Sequence, residues 1–187
     1  RSGKSTFIKR FMEQLVIPNI PSEARRERAV DELPQSAGGR TIMTTEPKFI
    51  PEEAVELTLG EAARLRLRMI DCVGYIIPSA LGYIENDQPR MVHTPWFDEE
   101  VPFNMAAEVG TQKVITEHST IGLVVTTDGS ITDLPREEYE ECEERIIDEL
   151  RQIGKPFVVL MNSTDPYSQQ TKDLCSQLSD KYHTTVM

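Results

Sequence analysis

An α/β domain with a mostly parallel sheet is the fold class that this sequence predicts, and three observations predict it. From Ile121 onward, short apolar runs alternate with amphipathic stretches of helical period, the pattern of a sheet layered between helices. Ahead of that region, residues 54–59 and 64–70 alternate apolar and polar side chains on either side of a four-residue turn. At the start of the chain, Gly3-Lys4-Ser5 runs into a helical segment. The 187 residues suffice for one α/β domain with a sizeable core, spanning 1–187.

Each element follows from its own residues. Residues 7–17 carry the first amphipathic helix, and residues 18–40 are a polar loop with a short helix at 23–30. In residues 54–59, Val55, Leu57 and Leu59 share one face; in 64–70, Leu65, Leu67 and Met69 lie opposite Arg64, Arg66 and Arg68. The two segments form an antiparallel hairpin with acidic side chains facing arginines. Residues 75–102 make a connection longer than ordinary loops, which marks it as functional or as ordered by other parts of the protein. Residues 104–118 have helical character, and 121–125 form a continuous apolar run suited to a parallel strand covered on both faces. Residues 135–153 give an amphipathic helix with an acidic first turn, an apolar face of Tyr139, Cys142, Ile146, Ile147, Leu150 and Ile153, and Gly154 as its stop. Residues 157–161 form another buried strand, 168–182 another helix, and 184–187 begin a further strand.

Composition excludes several functions. With 31 acidic against 20 basic residues, the net charge of −11 argues against binding of nucleic acid or an anionic membrane by this segment. No apolar run approaches the ~18 residues that a membrane-spanning helix needs. Cys72, Cys142 and Cys175 are odd in number and lack metal-ligand spacing, which fits a reducing compartment. His93, His118 and His183 form no cluster with other ligand types.

Four motifs carry chemistry. Gly3-Lys4-Ser5-Thr6 matches the second half of a phosphate-binding P-loop, G-x-x-x-x-G-K-[ST]. The first Gly and the strand before it would lie upstream of residue 1, so the chain reads as a fragment of a larger nucleotide-binding protein, truncated at the first strand. Backbone N–H groups at the helix start bind phosphate oxygens, Lys4 bridges the outer phosphates, and the Ser5 hydroxyl holds Mg²⁺. A plain turn ahead of a helix is the competing reading of that string. Asp71-Cys72-Val73-Gly74 directly ends the second hairpin strand, where Asp71 can support Mg²⁺ and the Gly74 N–H can approach the γ-phosphate. Thr44 and Thr45 lie between the first helix and the hairpin, the place of a phosphate-sensing loop, and either hydroxyl could serve the metal. Asn162-Ser163-Thr164-Asp165 stands where a GTPase carries N-K-x-D, with Ser in place of Lys, which leaves the base open between adenine and guanine. Tyr75 follows Gly74 where a GTPase often has the Gln that orients the attacking water. Slow intrinsic hydrolysis, or activation by assembly, is the expectation. Together these motifs predict a P-loop NTPase of GTPase-like (TRAFAC-type) three-layer fold.

The same residues resemble the stage IV sporulation protein A family of endospore-forming bacteria. The resemblance is carried by Gly3-Lys4-Ser5-Thr6-Phe7-Ile8-Lys9, Asp31-Glu32-Leu33-Pro34-Gln35-Ser36-Ala37, residues 41–49, Asp71-Cys72-Val73-Gly74-Tyr75, Pro89-Arg90-Met91, Thr94-Pro95-Trp96 and His118-Ser119-Thr120-Ile121-Gly122. It implies a GTPase-derived fold that binds and hydrolyses ATP rather than GTP, with Mg²⁺. It further implies irreversible self-assembly into filaments at the base of the spore coat, on the forespore surface in the mother-cell cytoplasm. A small amphipathic membrane-anchoring peptide and other coat proteins are the implied partners. By matching position, Lys4 binds nucleotide, Asp71 supports metal and hydrolysis, and Thr44 and Thr45 sense the phosphate. Asp165 departs from that family, which has usually lost the GTPase carboxylate. The alternatives are a GTPase regulatory switch and a structural coat module with a degenerate nucleotide site.

Overall fold

The structure, a computed structural model, describes residues 2–34, 46–59, 63–77, 79, 83–85 and 87–187. The first helix, α1 (Lys4–Phe11), starts at Gly3, whose left-handed φ of 97° turns the chain into it. Its first backbone bond runs from Phe7 N to Gly3 O (2.9 Å). The helix widens into a π turn at Met12–Val16 and tightens into a 3₁₀ turn at Ile17–Asn19. Pro18 lies in that last turn and, having no N–H for a carbonyl one turn back, cannot continue the α-type ladder. The short helix expected around residues 23–30 is α2 (Glu23–Asp31).

The hairpin consists of β1 (Lys48–Leu59) and β2 (Ala63–Asp71), paired antiparallel from Lys48↔Asp71 to Leu59↔Ala63. β1 thus begins six residues before the strand expected at 54–59. The alternation does not reveal this, because the register shifts between Ile50 and Val55. Pro51 lies in that irregular stretch and cannot donate to the ladder; the next donor, Glu52 N, goes instead to Glu32 Oε2 at 2.8 Å. Opposite charges do face each other across the pair, with Glu56 opposite Arg66 and Arg64 3.9 Å from Glu56.

The long connection contains two small antiparallel pairs, β3 (Ile84–Glu85) with β4 (Gln88–Pro89) and β5 (Met91–Val92) with β6 (Val101–Pro102). Next come α3 (Phe103–Lys113), a π turn at Val114–His118 and β7 (Gly122–Thr127). The C-terminal part follows with α4 (Glu137–Gln152), β8 (Phe157–Asn162) and α5 (Gln169–Tyr182). β7 and β8 pair in parallel from Gly122↔Phe157 to Thr127↔Asn162. Val186 adds a parallel bridge to Val159 on the far side, supporting a strand at residues 184–187. Gly154 closes α4 with a left-handed φ of 66°, while Gly154 N and Lys155 N bond Arg151 O and Leu150 O.

Among the described residues the strands form three antiparallel pairs, of which β1–β2 is the longest, and one parallel pair, β7–β8; no hydrogen-bonded ladder joins these pairs into one continuous, mostly parallel sheet. The β1–β2 and β7–β8 pairs each have their own core. Ile8, Met12, Val16 and Ile20 pack on Ile50, Val55 and Leu57, whereas Val124, Val159 and Met161 pack on Ile147, Leu150, Leu178 and Tyr182. One expected face residue is out of place: Ile153 lies past the end of α4 and is 45% exposed. No helix among the described residues is long and apolar enough to cross a membrane.

Candidate functional site

The turn before α1, the loop after β2 and the carboxyl end of β8 meet at one place. Asn162 Nδ2 donates to Ser2 O at 3.0 Å, and a β-carbon at Gly3 would collide with the Asn162 amide. From the other side, a β-carbon at Gly74 (φ 79°) would stand 3.2 Å from Lys4 Nζ. Only a glycine at 74 leaves that ammonium uncovered and accepts the left-handed backbone without strain. Gly3, Lys4, Gly74 and Asn162 are therefore neighbours, although they span most of the chain. Lys4 forms no ion pair with a carboxylate among the described residues.

The remaining expected residues fall on the same loops or outside the description. Ser5 is half-buried beside Lys4 in the first turn of α1, while Thr6 is exposed. Asp71 is the last residue of β2 and is partly buried. Cys72 lies within reach of both the Lys4 and Asp71 charges. Burial pushes its thiol up, Asp71 adds to the rise, and Lys4 with hydrogen bonds from Gly74 and Thr111 opposes it. The net rise keeps Cys72 protonated, and so a poor nucleophile, at neutral pH. Thr44 and Thr45 lie outside the described residues. Asp165 is exposed, and its carboxylate meets no partner among the described residues. No group of three His, Cys, Asp or Glu suited to a metal occurs among them either.

The loop after β8 is closed by residues that the motif string does not reveal. Asp128, just past the end of β7, accepts from Ser130 N (2.9 Å), Ser130 Oγ (2.6 Å) and Thr171 Oγ1 (3.4 Å). Ser130 Oγ accepts in turn from Thr164 N at 2.9 Å. Burial raises the Asp128 carboxyl, but hydrogen bonds from Ser130, Ser163 and Thr171 outweigh it and hold the group below its ordinary value. The signal was present in Asp128-Gly129-Ser130, an Asp beside turn residues at the carboxyl end of a parallel strand.

Tyr75 does not point free into the site. Its hydroxyl donates to Glu149 of α4, and the Arg145 guanidinium lies 4.0 Å from its ring centroid. Arg145 Nε also donates to Glu149 Oε1 (3.2 Å), and its Nη2 pairs with Glu108 of α3.

This arrangement defines a mixed α/β domain in which a lysine at a helix N-terminus faces glycine- and asparagine-bearing loops at strand ends. Residues 1–187 match the family described as Stage IV sporulation protein A, ATPase domain, and the chain belongs to that family. It is 55% identical to Stage IV sporulation protein A of Bacillus anthracis, 54% to that of Bacillus subtilis (strain 168) and 52% to that of Clostridioides difficile (strain 630). Each similarity covers the whole of this chain and 38% of the relative. No solved structure matches.

Proposed function

We propose that this domain binds ATP with Mg²⁺ on a P-loop, GTPase-like fold and hydrolyses it. Hydrolysis drives self-assembly of the longer protein into the basement layer of the spore coat, at the forespore surface in the mother-cell cytoplasm. A small amphipathic anchoring peptide and other coat proteins would be its partners. The observation that carries the nucleotide reading is the convergence of Gly3 and Lys4 with Gly74 and Asn162. Membership of an ATPase-domain family supports it.

The residues fit a phosphate group. The start of α1 presents N–H donors and the positive end of the helix dipole, a favourable term of about 0.3–1 kcal/mol for a nearby anion. Lys4 adds a full charge, and the missing side chain at Gly74 leaves space over its ammonium. Mg²⁺ would be held by Ser5, Thr44 and Asp71, with Thr44 and Thr45 also sensing the phosphate. One carboxylate and hydroxyls suit a metal that takes its other ligands from phosphate and water. A bound Mg²⁺ would supply neutralisation of phosphate charge. Asn162 has a positioning task, because it ties the β8 loop to the turn ahead of Lys4.

Separate measurements of binding and turnover in the full-length protein test this reading. Lys4→Ala abolishes ATP binding, since no other motif cation replaces it. Asp71→Ala retains binding and loses hydrolysis. Equal loss of binding in both variants would remove the distinction between phosphate and metal roles. A GTPase switch is the second reading, and the solvent-facing Asp165 carboxylate favours it, being free to meet a guanine edge.

A further inference from the structure

The loop from Asp71 to Gly74 is anchored at its start by β2, where Asp71 pairs with Lys48. Its far end is anchored by Tyr75. That side chain is held three ways: its hydroxyl on Glu149, its ring against Arg145, and a further hydrogen bond with Gln112 of α3. Arg145 is itself fixed between Glu149 on its own helix and Glu108 on α3. A tyrosine so engaged cannot also reach toward a phosphate, so it does not stand in for a water-orienting glutamine. Burial, then the Glu149 bond, raises the phenol well above its ordinary value, so the hydroxyl remains a donor at all physiological pH.

We propose that Tyr75 is a positioning residue, which clamps the Gly74 backbone against Lys4 by tying the end of that loop to α3 and α4. The proposal rests on the ATP-hydrolysing function put forward above. A clamp of this kind acts on the geometry of the phosphate end more than on nucleotide affinity, because the turn at Gly3 and the start of α1 are not part of it. Hydrolysis then depends on the spacing of α3 and α4, which Arg145 bridges.

The test is steady-state ATP hydrolysis by the full-length protein carrying Tyr75→Phe, Tyr75→Ala, Glu149→Ala or Glu149→Gln, with amide hydrogen exchange of residues 71–75. Tyr75→Phe keeps the ring against Arg145 and loses the hydroxyl's bonds to Glu149 and Gln112, so kcat falls about tenfold with KM within about twofold. Tyr75→Ala falls further. Glu149→Gln, which still offers an acceptor, recovers part of what Glu149→Ala loses. Exchange at residues 71–75 quickens in the Phe and Ala variants while the melting temperature of Tyr75→Phe stays near that of the wild type. Unchanged kcat in Tyr75→Ala overturns the proposal, as does a joint fall of kcat, affinity and melting temperature, which marks a purely structural side chain. If the wild type hydrolyses no ATP, the proposed function fails, while unaltered exchange in the variants would separately remove the clamp.

Discussion

Asn162, the last residue of β8, and Asp165, in the loop that follows, stand three residues apart, and their side chains face different surroundings. Asn162 is drawn inward by the Ser2 carbonyl, whereas the Asp165 carboxylate faces solvent. Between them, Ser163 Oγ accepts from Asp165 N (3.0 Å) and pairs with Thr171 Oγ1 (3.3 Å). A serine used this way offers no long stem to lie beside a base. Replacing Asp165 with Asn should therefore leave ATP affinity within about twofold, since adenine lacks the paired donors that a carboxylate would accept. Were the protein a GTPase, losing that charged acceptor would cost about 1.5–3 kcal/mol, or roughly 10- to 150-fold in GTP affinity. Competition calorimetry with ATP and GTP on the full-length protein decides it; strong GTP preference that collapses in the variant overturns the adenine assignment. The string Asn162-Ser163-Thr164-Asp165 was readable from the sequence, but the use of each side chain was not. That use depends on Ser2, Asp128, Ser130 and Thr171, and the first three are more than 30 residues away.

At the level of elements, α4 shows where periodicity stops being informative. Its apolar stripe placed Tyr139, Ile147 and Leu150 correctly in the interior. It gave no sign that Glu143 is also buried, at 4% exposure, because a charged residue reads as solvent-facing. Glu143 is compensated by Arg136, which reaches both its carboxylate oxygens (2.7 and 2.6 Å) and Thr126 Oγ1 (2.9 Å), and by the Tyr182 hydroxyl (2.6 Å). This cluster joins β7, α4 and α5. Burial pushes the Glu143 carboxyl up, but bonds from Arg136, Thr126 and Tyr182 and the guanidinium charge bring it below its ordinary 4.5. A depressed carboxylate contributes stability that is complete at neutral pH and is lost as pH falls through its folded value, below 4.5. Glu143→Gln leaves the buried Arg136 guanidinium without its directly bonded counter-charge, with only the Glu140 charge nearby, and should cost about 3 kcal/mol at pH 7. Urea midpoints should show that deficit shrinking between pH 5 and pH 3. A deficit constant across that range would mean that the charge is not its source.

Across the whole molecule, local periodicity made most helices and strands legible, because each buries one face against a neighbour. What it left out is how distant parts combine: the irregular start of β1, the separate cores of the β1–β2 and β7–β8 pairs and the lacing of chain segments around Lys4. Thr44 and Thr45 belong to this scale, since their proposed task is to connect phosphate chemistry with assembly. Double replacement by Ala should leave ATP bound and prevent filaments in electron micrographs of the full-length protein; normal filaments would reduce both residues to strand formers. The contact between Asn162 and the Ser2 carbonyl has a further consequence, for biosynthesis. Its partners are 160 residues apart, and translation at about 5–20 residues per second separates their emergence by roughly 8–32 s. α1 and the hairpin can collapse on each other early in that interval, since their core residues all precede Leu59 or lie on β2. The phosphate end must wait for β8. A nascent chain would thus pass through a period in which its first helix is packed but the turn ahead of it is still open on the Asn162 side.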